Sequence, residues 1–191
     1  MKKHIFTFIA MLATTVALAQ FTYGPKIGFN ASRFANDKFM PGIQAGAFLN
    51  SEIYDRMGIQ IDFLYAIKGN KHEVGPDTLL TTTTTYYRFV EIPICAYFPV
   101  SKHIRGFFGP QLNIYRKGNQ TVEYRGKSTE TKVSGTGVRS WIVGFDFNFD
   151  SPLTLGLRFV SNKFTSTNFA GDSQDNALNS VLVSIGYTMD W

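Results

Sequence analysis

The chain ends in a run of residues whose side chains alternate between apolar and small or polar. Apolar residues stand at positions 181, 183, 185, 187, 189 and 191, and small or polar residues stand at 184, 186, 188 and 190. A period of two places all the apolar side chains on one face of a β-strand. A soluble protein rarely exposes such a face, whereas a transmembrane β-barrel turns it toward lipid. The last strand therefore favours a barrel that spans a membrane.

The segment from Ser184 to Trp191 also resembles the C-terminal signal by which the outer-membrane assembly machinery recognises barrel substrates. Met189 stands where that signal more often has an aromatic residue. We therefore expect the barrel assembly machinery to bind this chain through its C-terminal strand. Any amphipathic terminal strand could produce this pattern. Support for an outer-membrane location therefore has to come from the N-terminal end of the chain as well.

The first 19 residues have the parts of a secretory signal peptide. A basic start at Lys2 and Lys3 precedes an apolar stretch from Ile5 to Ala19, which ends in the small-x-small sequence Ala17-Leu18-Ala19. This stretch is too short to cross about 30 Å of hydrocarbon as a helix. The sequence thus predicts a signal peptide over residues 1–19 and a single outer-membrane β-barrel domain over residues 20–191.

Charge and cysteine content narrow the class of protein further. Removing residues 1–19 takes away two of the 19 basic residues and none of the 14 acidic ones, so the formal net charge falls from +5 to +3. Mixed charge on an exported chain argues against nucleic acid as a partner. Cys95 is the only cysteine, so no intramolecular disulfide can form.

The same alternation recurs along the chain, with Gly, Asn, Asp and Ser between the apolar runs. It predicts eight strands, which we place at about 22–32, 42–54, 58–68, 84–99, 104–116, 137–149, 153–162 and the terminal strand. The Gly-Pro pairs at 24–25 and 109–110 indicate turns or bulges, and Pro93 indicates a bulge or a local strand break because it lacks an N–H. The predicted fold class is all-β, an eight-stranded antiparallel up-and-down transmembrane β-barrel.

The connections between these strands alternate in length. Short turns are expected at 55–57, 100–103 and 150–152, and long polar loops at about 33–41, 69–83, 117–136 and 163–177. Short periplasmic turns and longer outer loops are typical of outer-membrane barrels, and an even number of strands puts both termini on the periplasmic side. We therefore expect the cell outer membrane as the location and its lipid as a partner.

Side-chain size indicates which face lines the lumen. An eight-stranded barrel has an interior just wide enough for side chains to fill. The polar face is rich in small residues and the apolar face carries bulky ones, so the polar face is expected inside. The alternative is a soluble, lipocalin-like, lipid-binding barrel with an apolar lumen and a polar exterior.

The predicted lumen contains equal numbers of opposite charges. Its cations are Lys26, Lys68, Arg105 and Arg158, and its anions are Glu52, Asp62, Glu91 and Asp146. Buried ions need partners because an unpaired one costs several kcal/mol. We therefore expect a plug of ion pairs and no open channel; a proton or ion path is the alternative.

Several segments together resemble the PorT-like family of small Gram-negative outer-membrane β-barrel proteins. The resemblance rests on the order of short motifs at 23–30, 59–65, 68–69, 90–93, 108–110 and 155–158, followed by the terminal strand. Asp62 stands where many relatives would have Glu. The resemblance implies an outer-membrane barrel; the family's namesake takes part in a protein secretion system, and most members have no assigned role.

The chain offers few candidates for catalysis. His72 is expected in a long outer loop beside Glu73 and His103 in a periplasmic turn, each solvated; Cys95 is expected as a small buried residue on the lumen face. No metal cluster, phosphate loop or nucleophile elbow is present in the sequence. We therefore predict no catalytic, cofactor-binding or metal-binding residues. The alternative is an outer-membrane enzyme that acts on lipid or peptide at the outer rim.

The predicted outer loop at 117–136 and the residue before it are rich in basic side chains. They are Arg116, Lys117, Arg125, Lys127 and Lys132. They are either an ordinary charged surface or a contact for the phosphates of lipopolysaccharide. The sequence as a whole predicts a structural or accessory outer-membrane barrel, with a secretion-related role as one option, whose outer loops contact a partner or the cell surface. An envelope protein is a possible partner.

Overall fold

The structure is a computed structural model that describes residues 20–34, 37–75, 81–124, 127–135, 138–167 and 173–190. The predicted signal peptide and Trp191 lie outside the described residues. No helix in the described ranges is long and apolar enough to cross a membrane.

Ten antiparallel strands form a single closed sheet. They are β1 (Gln20–Arg33), β2 (Lys38–Tyr54), β3 (Met57–Val74), β4 (Thr81–Pro99), β5 (Ile104–Tyr124), β6 (Lys127–Gly135), β7 (Val138–Asn148), β8 (Leu153–Thr167), β9 (Ser173–Tyr187) and β10 (Met189–Asp190). β6 and β7 both lie between β5 and β8, and β9 and β10 both pair with β1. The ring therefore has eight strand positions, as predicted.

The lumen and outer faces follow the predicted phase. On β3, Gln60, Asp62 and Lys68 are buried, whereas Phe63 and Tyr65 are exposed. The other strands repeat this arrangement, so the charged and most of the polar side chains point into the lumen, together with some buried apolar ones, while Phe, Ile, Leu and Val cover the outside. Alternation in the sequence predicted these faces correctly because a strand side chain has only two directions.

The two ends of the barrel differ. Short connections at 55–56, 100–103 and 149–152 lie at the same end as Gln20 and β10, which we term the short-turn end. Asp55 and Arg56 have positive φ angles of 38° and 65°, which suits the two-residue hairpin turn between β2 and β3.

The predicted long loops are wrong in their extent. Most of their residues belong to strands: β3 runs to Val74, β4 starts at Thr81, and β5 and β6 pair from Gly118 with Val133 to Tyr124 with Lys127. Outside a membrane both faces of a strand meet water, so the sequence loses its alternation while the pairing continues. The β-branched Thr81–Thr85 run suits an extended strand. We call the protruding parts of β3–β6, residues 71–74, 81–87, 118–124 and 127–133, the outer extension.

The structural effects of the prolines were only partly predicted. Gly24-Pro25 and Gly109-Pro110 lie inside β1 and β5 and do not form turns. At Pro93 the β3–β4 pairing stops after Ile61–Ile94 and resumes at Leu64–Glu91 in the same register. The predicted local break is therefore present there, without a bulge.

Candidate functional site

The lumen holds an ion network centred on the carboxylate of Asp62. Lys26 Nζ lies 2.9 Å and Arg158 Nη1 lies 2.8 Å from Asp62 Oδ2, and Arg158 Nη2 lies 3.2 Å from Asp146 Oδ2. Gln60 Nε2 donates to Asp62 Oδ1 at 2.6 Å. The four charged residues are at most 4% exposed and come from β1, β3, β7 and β8. The network therefore joins opposite walls of the barrel.

A second buried pair lies closer to the outer extension. Lys68 Nζ and Glu91 Oε1 are 2.6 Å apart, and both residues are at most 1% exposed. Beside it, Asn113 of β5 donates to Ser140 and, at 2.9 Å, to Asn162, whose Nδ2 donates to the carbonyl of Leu178 at 3.1 Å. These bonds link β5, β7, β8 and β9 across the interior.

One side of the lumen is apolar, which the sequence did not reveal. Buried side chains of Cys95, Tyr97, Phe107, Ile142, Val160 and Leu182 pack together there. The Arg158 guanidinium lies 4.7 Å from the centre of the Phe107 ring. Ile142 and Leu182 stand in runs where both neighbours are also apolar, so their inward direction could be inferred only from the phase of the whole strand.

The structure corrects the predicted plug of ion pairs at two positions. Six of the eight predicted charges form the buried pairs, but Glu52 is exposed near the short-turn end, where it accepts a hydrogen bond from the Arg56 N–H. Arg105 is half-buried, with its guanidinium 5.1 Å from the centre of the Tyr97 ring. Both line an open cavity of about 760 Å³ at the short-turn end. The plug therefore does not fill the full length of the barrel.

At the other end, polar pairs tie the β1–β2 connection to β3. His72 Nδ1 lies 2.5 Å from Asp37 Oδ1, and Asn70 donates to Asp37 Oδ2 at 2.7 Å. Glu73 accepts hydrogen bonds from Lys38 and Lys71, and these bonds lower the Glu73 pKa to about 2 and raise the Lys71 pKa. His72 thus lies on a strand and not in the predicted loop, although it is exposed as predicted.

The other residues singled out in the sequence are dispersed. Cys95 is buried on the lumen face, as predicted, and His103 is exposed in a turn, 4.0 Å from Asp150. Lys117 and Lys132 lie on β5 and β6, while Arg125 is outside the described residues. No group of three or more His, Cys, Asp or Glu in the described part of the chain is placed to hold a metal ion.

A closed ring with an apolar exterior and a charged interior is the arrangement of a transmembrane barrel. The model of the outer membrane protein beta-barrel domain family matches residues 15–168. The chain belongs to this family. The protein is therefore an outer-membrane β-barrel, its short-turn end is periplasmic, and the outer extension lies on the cell surface.

Solved structures support the same fold. Ail, the attachment invasion locus protein of Yersinia pestis, is 12% identical, with a TM-score of 0.51 over 89% of this chain and 99% of that chain. Neisserial surface protein A is 9% identical, with a TM-score of 0.52 over 88% of this chain and 97% of that chain. No curated protein matches the sequence.

The membrane location overturns the lipocalin-like alternative. That fold needs an apolar lumen and a polar exterior, whereas here the lumen holds Asp62 and Arg158 and the outer face exposes Phe63 and Phe145. These outer side chains face lipid.

Proposed function

We propose that this chain is a small structural or accessory outer-membrane barrel of the PorT-like kind, which binds a partner or the cell surface through its outer extension and conducts no ions. The observation that carries the proposal is the ion network centred on Asp62. Arg158 of β8 and Lys26 of β1 meet the same Asp62 carboxylate oxygen, at 2.8 and 2.9 Å, and β8 lies opposite the Asp62 strand β3, so the middle of the lumen is occupied by salt-bridged side chains.

The outer extension supports a binding role. A transmembrane strand needs about 9–11 residues, whereas β4 has 19 and β5 has 21. The surplus forms a sheet on the cell surface in which β6 is exposed on both faces from Lys127 to Lys132. A rigid sheet outside the membrane offers a partner both side chains and strand edges. A protein of the cell envelope is the partner that the PorT-like resemblance favours.

Co-purification from detergent-solubilised outer membrane tests the proposal. A variant in which residues 120–131 are replaced by a two-residue turn should fold but lose the partner that the wild-type barrel retains. Arg56→Ala, at the periplasmic end, is the control and should retain it. If the shortened barrel keeps the same partners, binding does not occur through the outer extension.

An enzyme at the outer rim is the second candidate, and the contact between Asp37 and the exposed His72 favours it. A carboxylate that orients a His is part of many hydrolytic sites. Within the described residues no hydroxyl or thiol group is hydrogen-bonded to His72, so this pair has no nucleophile to activate, and we propose a binding function instead. Purified wild-type barrel and the His72→Gln variant should both hydrolyse lipid and peptide only at the background rate. Hydrolysis by the wild type that the variant loses would support the enzyme.

A further inference from the structure

The strand register places three basic residues together on the outward face of the barrel wall. Arg88 of β4 and Lys117 of β5 are direct cross-strand partners, and Lys132 of β6 is the partner of Asn119, two residues beyond Lys117. The neighbours of Arg88, Tyr87 and Phe89, are buried in the lumen, so Arg88 points outward. In regular pairing, direct partners have Cβ atoms about 5 Å apart and diagonal neighbours are about 7–8 Å apart. The β4–β5 register shifts by one residue between Arg88 and Phe89, so Arg88 and Lys117 are partners at the edge of a β-bulge. We call Arg88, Lys117 and Lys132 the outer basic patch.

The cations of the patch have no ion-pair partners among the described residues. None of its three cations forms an ion pair with a carboxylate in the described part of the chain. Like charges directly opposite each other on a sheet destabilise it. Two carboxylates lie on the same face, those of Glu130 and Glu123. Their cross-strand partners are closer to the tip of the hairpin than Asn119 is, so both carboxylates lie further from the membrane. An anion bound between Arg88 and Lys117 would relieve their repulsion.

The position of the patch along the strands sets the kind of anion. Below Arg88, the outward residues of β4 from Val90 to Phe98 are apolar, and below Lys117 no outward residue of β5 from Ile104 to Ile114 is charged. These segments have the length of about 9–11 residues that a transmembrane strand needs to cross the hydrocarbon. The patch therefore begins where the hydrocarbon ends, at the level of the headgroups in the outer leaflet.

The periplasmic rim has a different composition. Its outward face exposes large apolar side chains, among them Ile53, Tyr54 and Val100. Arg56 lies in a turn there, and its guanidinium donates to the carbonyls of Ser101 and Lys102. A cross-strand pair of cations is thus found at the outer leaflet and not among the described residues of the inner rim. This asymmetry matches a ligand that is confined to the outer leaflet.

We propose that the outer basic patch binds the phosphate groups of lipid A, the phosphorylated saccharide lipid of the outer leaflet. Arg88 and Lys117 would hold one phosphate between them, and Lys132 would reach a second group on the same lipid. The half-exposed Tyr86, the direct partner of Asn119, supplies an aromatic surface beside the saccharide. This site depends on the outer-membrane location and not on the proposed accessory role.

Lipid A binding to the purified barrel in detergent tests the site. Diphosphoryl lipid A should bind to the wild-type protein, with bound lipid counted by native mass spectrometry. Each basic residue near an anionic lipid surface contributes about 1 kcal/mol, so Arg88→Gln with Lys117→Gln should weaken binding about 30-fold. The double variant Arg56→Gln with Lys102→Gln removes the same charge at the periplasmic end and should bind like the wild type.

Four further arms make the outcome decisive. Arg88→Lys with Lys117→Arg should retain binding, which separates loss of charge from a failure to fold. Lipid A without phosphates, and free inorganic phosphate, should bind weakly. Equal binding of phosphatidylglycerol, or an equal loss in the control double variant, would overturn the proposal in favour of nonspecific attraction to anionic lipid.

Discussion

Arg158 and Asp62 are 96 residues apart in the chain, yet Arg158 Nη1 donates to Asp62 Oδ2 at 2.8 Å. Arg158 lies on β8 and Asp62 on β3, so β9, β1 and β2 separate them along one side of the ring. Their hydrogen bond crosses the lumen and does not run along the wall. It makes the closure of the barrel and the filling of its interior depend on each other.

Replacing Asp62 with Ala should destabilise the barrel strongly. The change leaves Lys26 and Arg158 buried with one carboxylate fewer, and breaking a buried ion pair from one side costs about 3–5 kcal/mol. The loss of unfolding free energy is measured by urea titration of the barrel in lipid vesicles, with the folded fraction read from heat-modifiable gel migration. Glu130→Ala, on the exposed face of β6, removes the same charge and should change the free energy of unfolding little. Equal stabilities for the two variants would contradict a structural role for the network.

The faces of the strands were predictable from the sequence because alternation has only two phases. The apolar face of β3 is already evident from the alternation of Gln60, Ile61, Asp62 and Phe63. Closure of the sheet turns that face toward lipid. The ends of the strands were not predictable in the same way. Beyond Lys68 the β3–β4 pair leaves the membrane, and the requirement for apolar outward side chains ends there.

Ion-pair partners also could not be derived from the sequence. The equal numbers of cations and anions indicated that ion pairs form. Which cation pairs with which anion depends on the strand register around the whole ring and on the length of each side chain. Arg105 and Glu52 have the right phase, yet the barrel is open at their level and both line the periplasmic cavity. Charge balance therefore predicted a plug of ion pairs but not its partners, and it overestimated the extent of the plug.

The occupied lumen predicts that the wild-type barrel shows no sustained conductance in planar bilayers. Glu91→Ala leaves Lys68 buried without its partner 2.6 Å away, so this variant should lose stability and still not form a steady channel. Current recordings on both proteins, with unfolding measured in parallel, check the expectation. Steady, ion-selective steps from the wild-type protein would favour the channel alternative.

Charges on the lipid face should be costly near the middle of the membrane. Phe63 and Phe145 are 55% and 45% exposed on the outer face, and Arg at either position should destabilise the barrel by about 2–4 kcal/mol in a bilayer. Arg at Gly144 should fail for a different reason, because a Cβ there would overlap the backbone of Leu157 inside the wall. If Phe63→Arg and Phe145→Arg were both neutral in lipid vesicles, the assignment of faces would be wrong.

Acid should loosen the outer extension only at very low pH. Hydrogen bonds from Lys38 and Lys71 lower the Glu73 pKa from 4.5 to about 2, so their stabilising effect is complete above pH 4.5 and is lost as the pH falls through about 2. The raised Lys71 pKa adds stability that is present below 10.5 and is lost in strong alkali. Nuclear magnetic resonance titration of the Glu73 carboxyl in detergent micelles should give a midpoint near 2 in wild type. In Lys38→Gln the midpoint should rise toward 4.5, and an unchanged midpoint would contradict the bond.

The last residues of the chain should be needed for closure. Met189 and Asp190 of β10 pair with Tyr23 and Thr22 of β1, next to the β9–β1 pairs that close the ring. Deleting residues 187–191 removes these pairs and the Tyr187–Leu153 pair with β8, which leaves strand edges unpaired at the periplasmic rim. It also removes the segment through which we expect the assembly machinery to bind. The truncated chain should therefore give no heat-modifiable band in outer-membrane fractions. Refolding of the same chain into lipid vesicles separates loss of strand pairing from loss of the assembly signal. A chain that closes in vesicles but not in cells has lost recognition by the assembly machinery. A chain that fails to close in both has lost the pairing needed for closure. A folded, membrane-integrated band from cells would show that neither the pairing nor the signal is required.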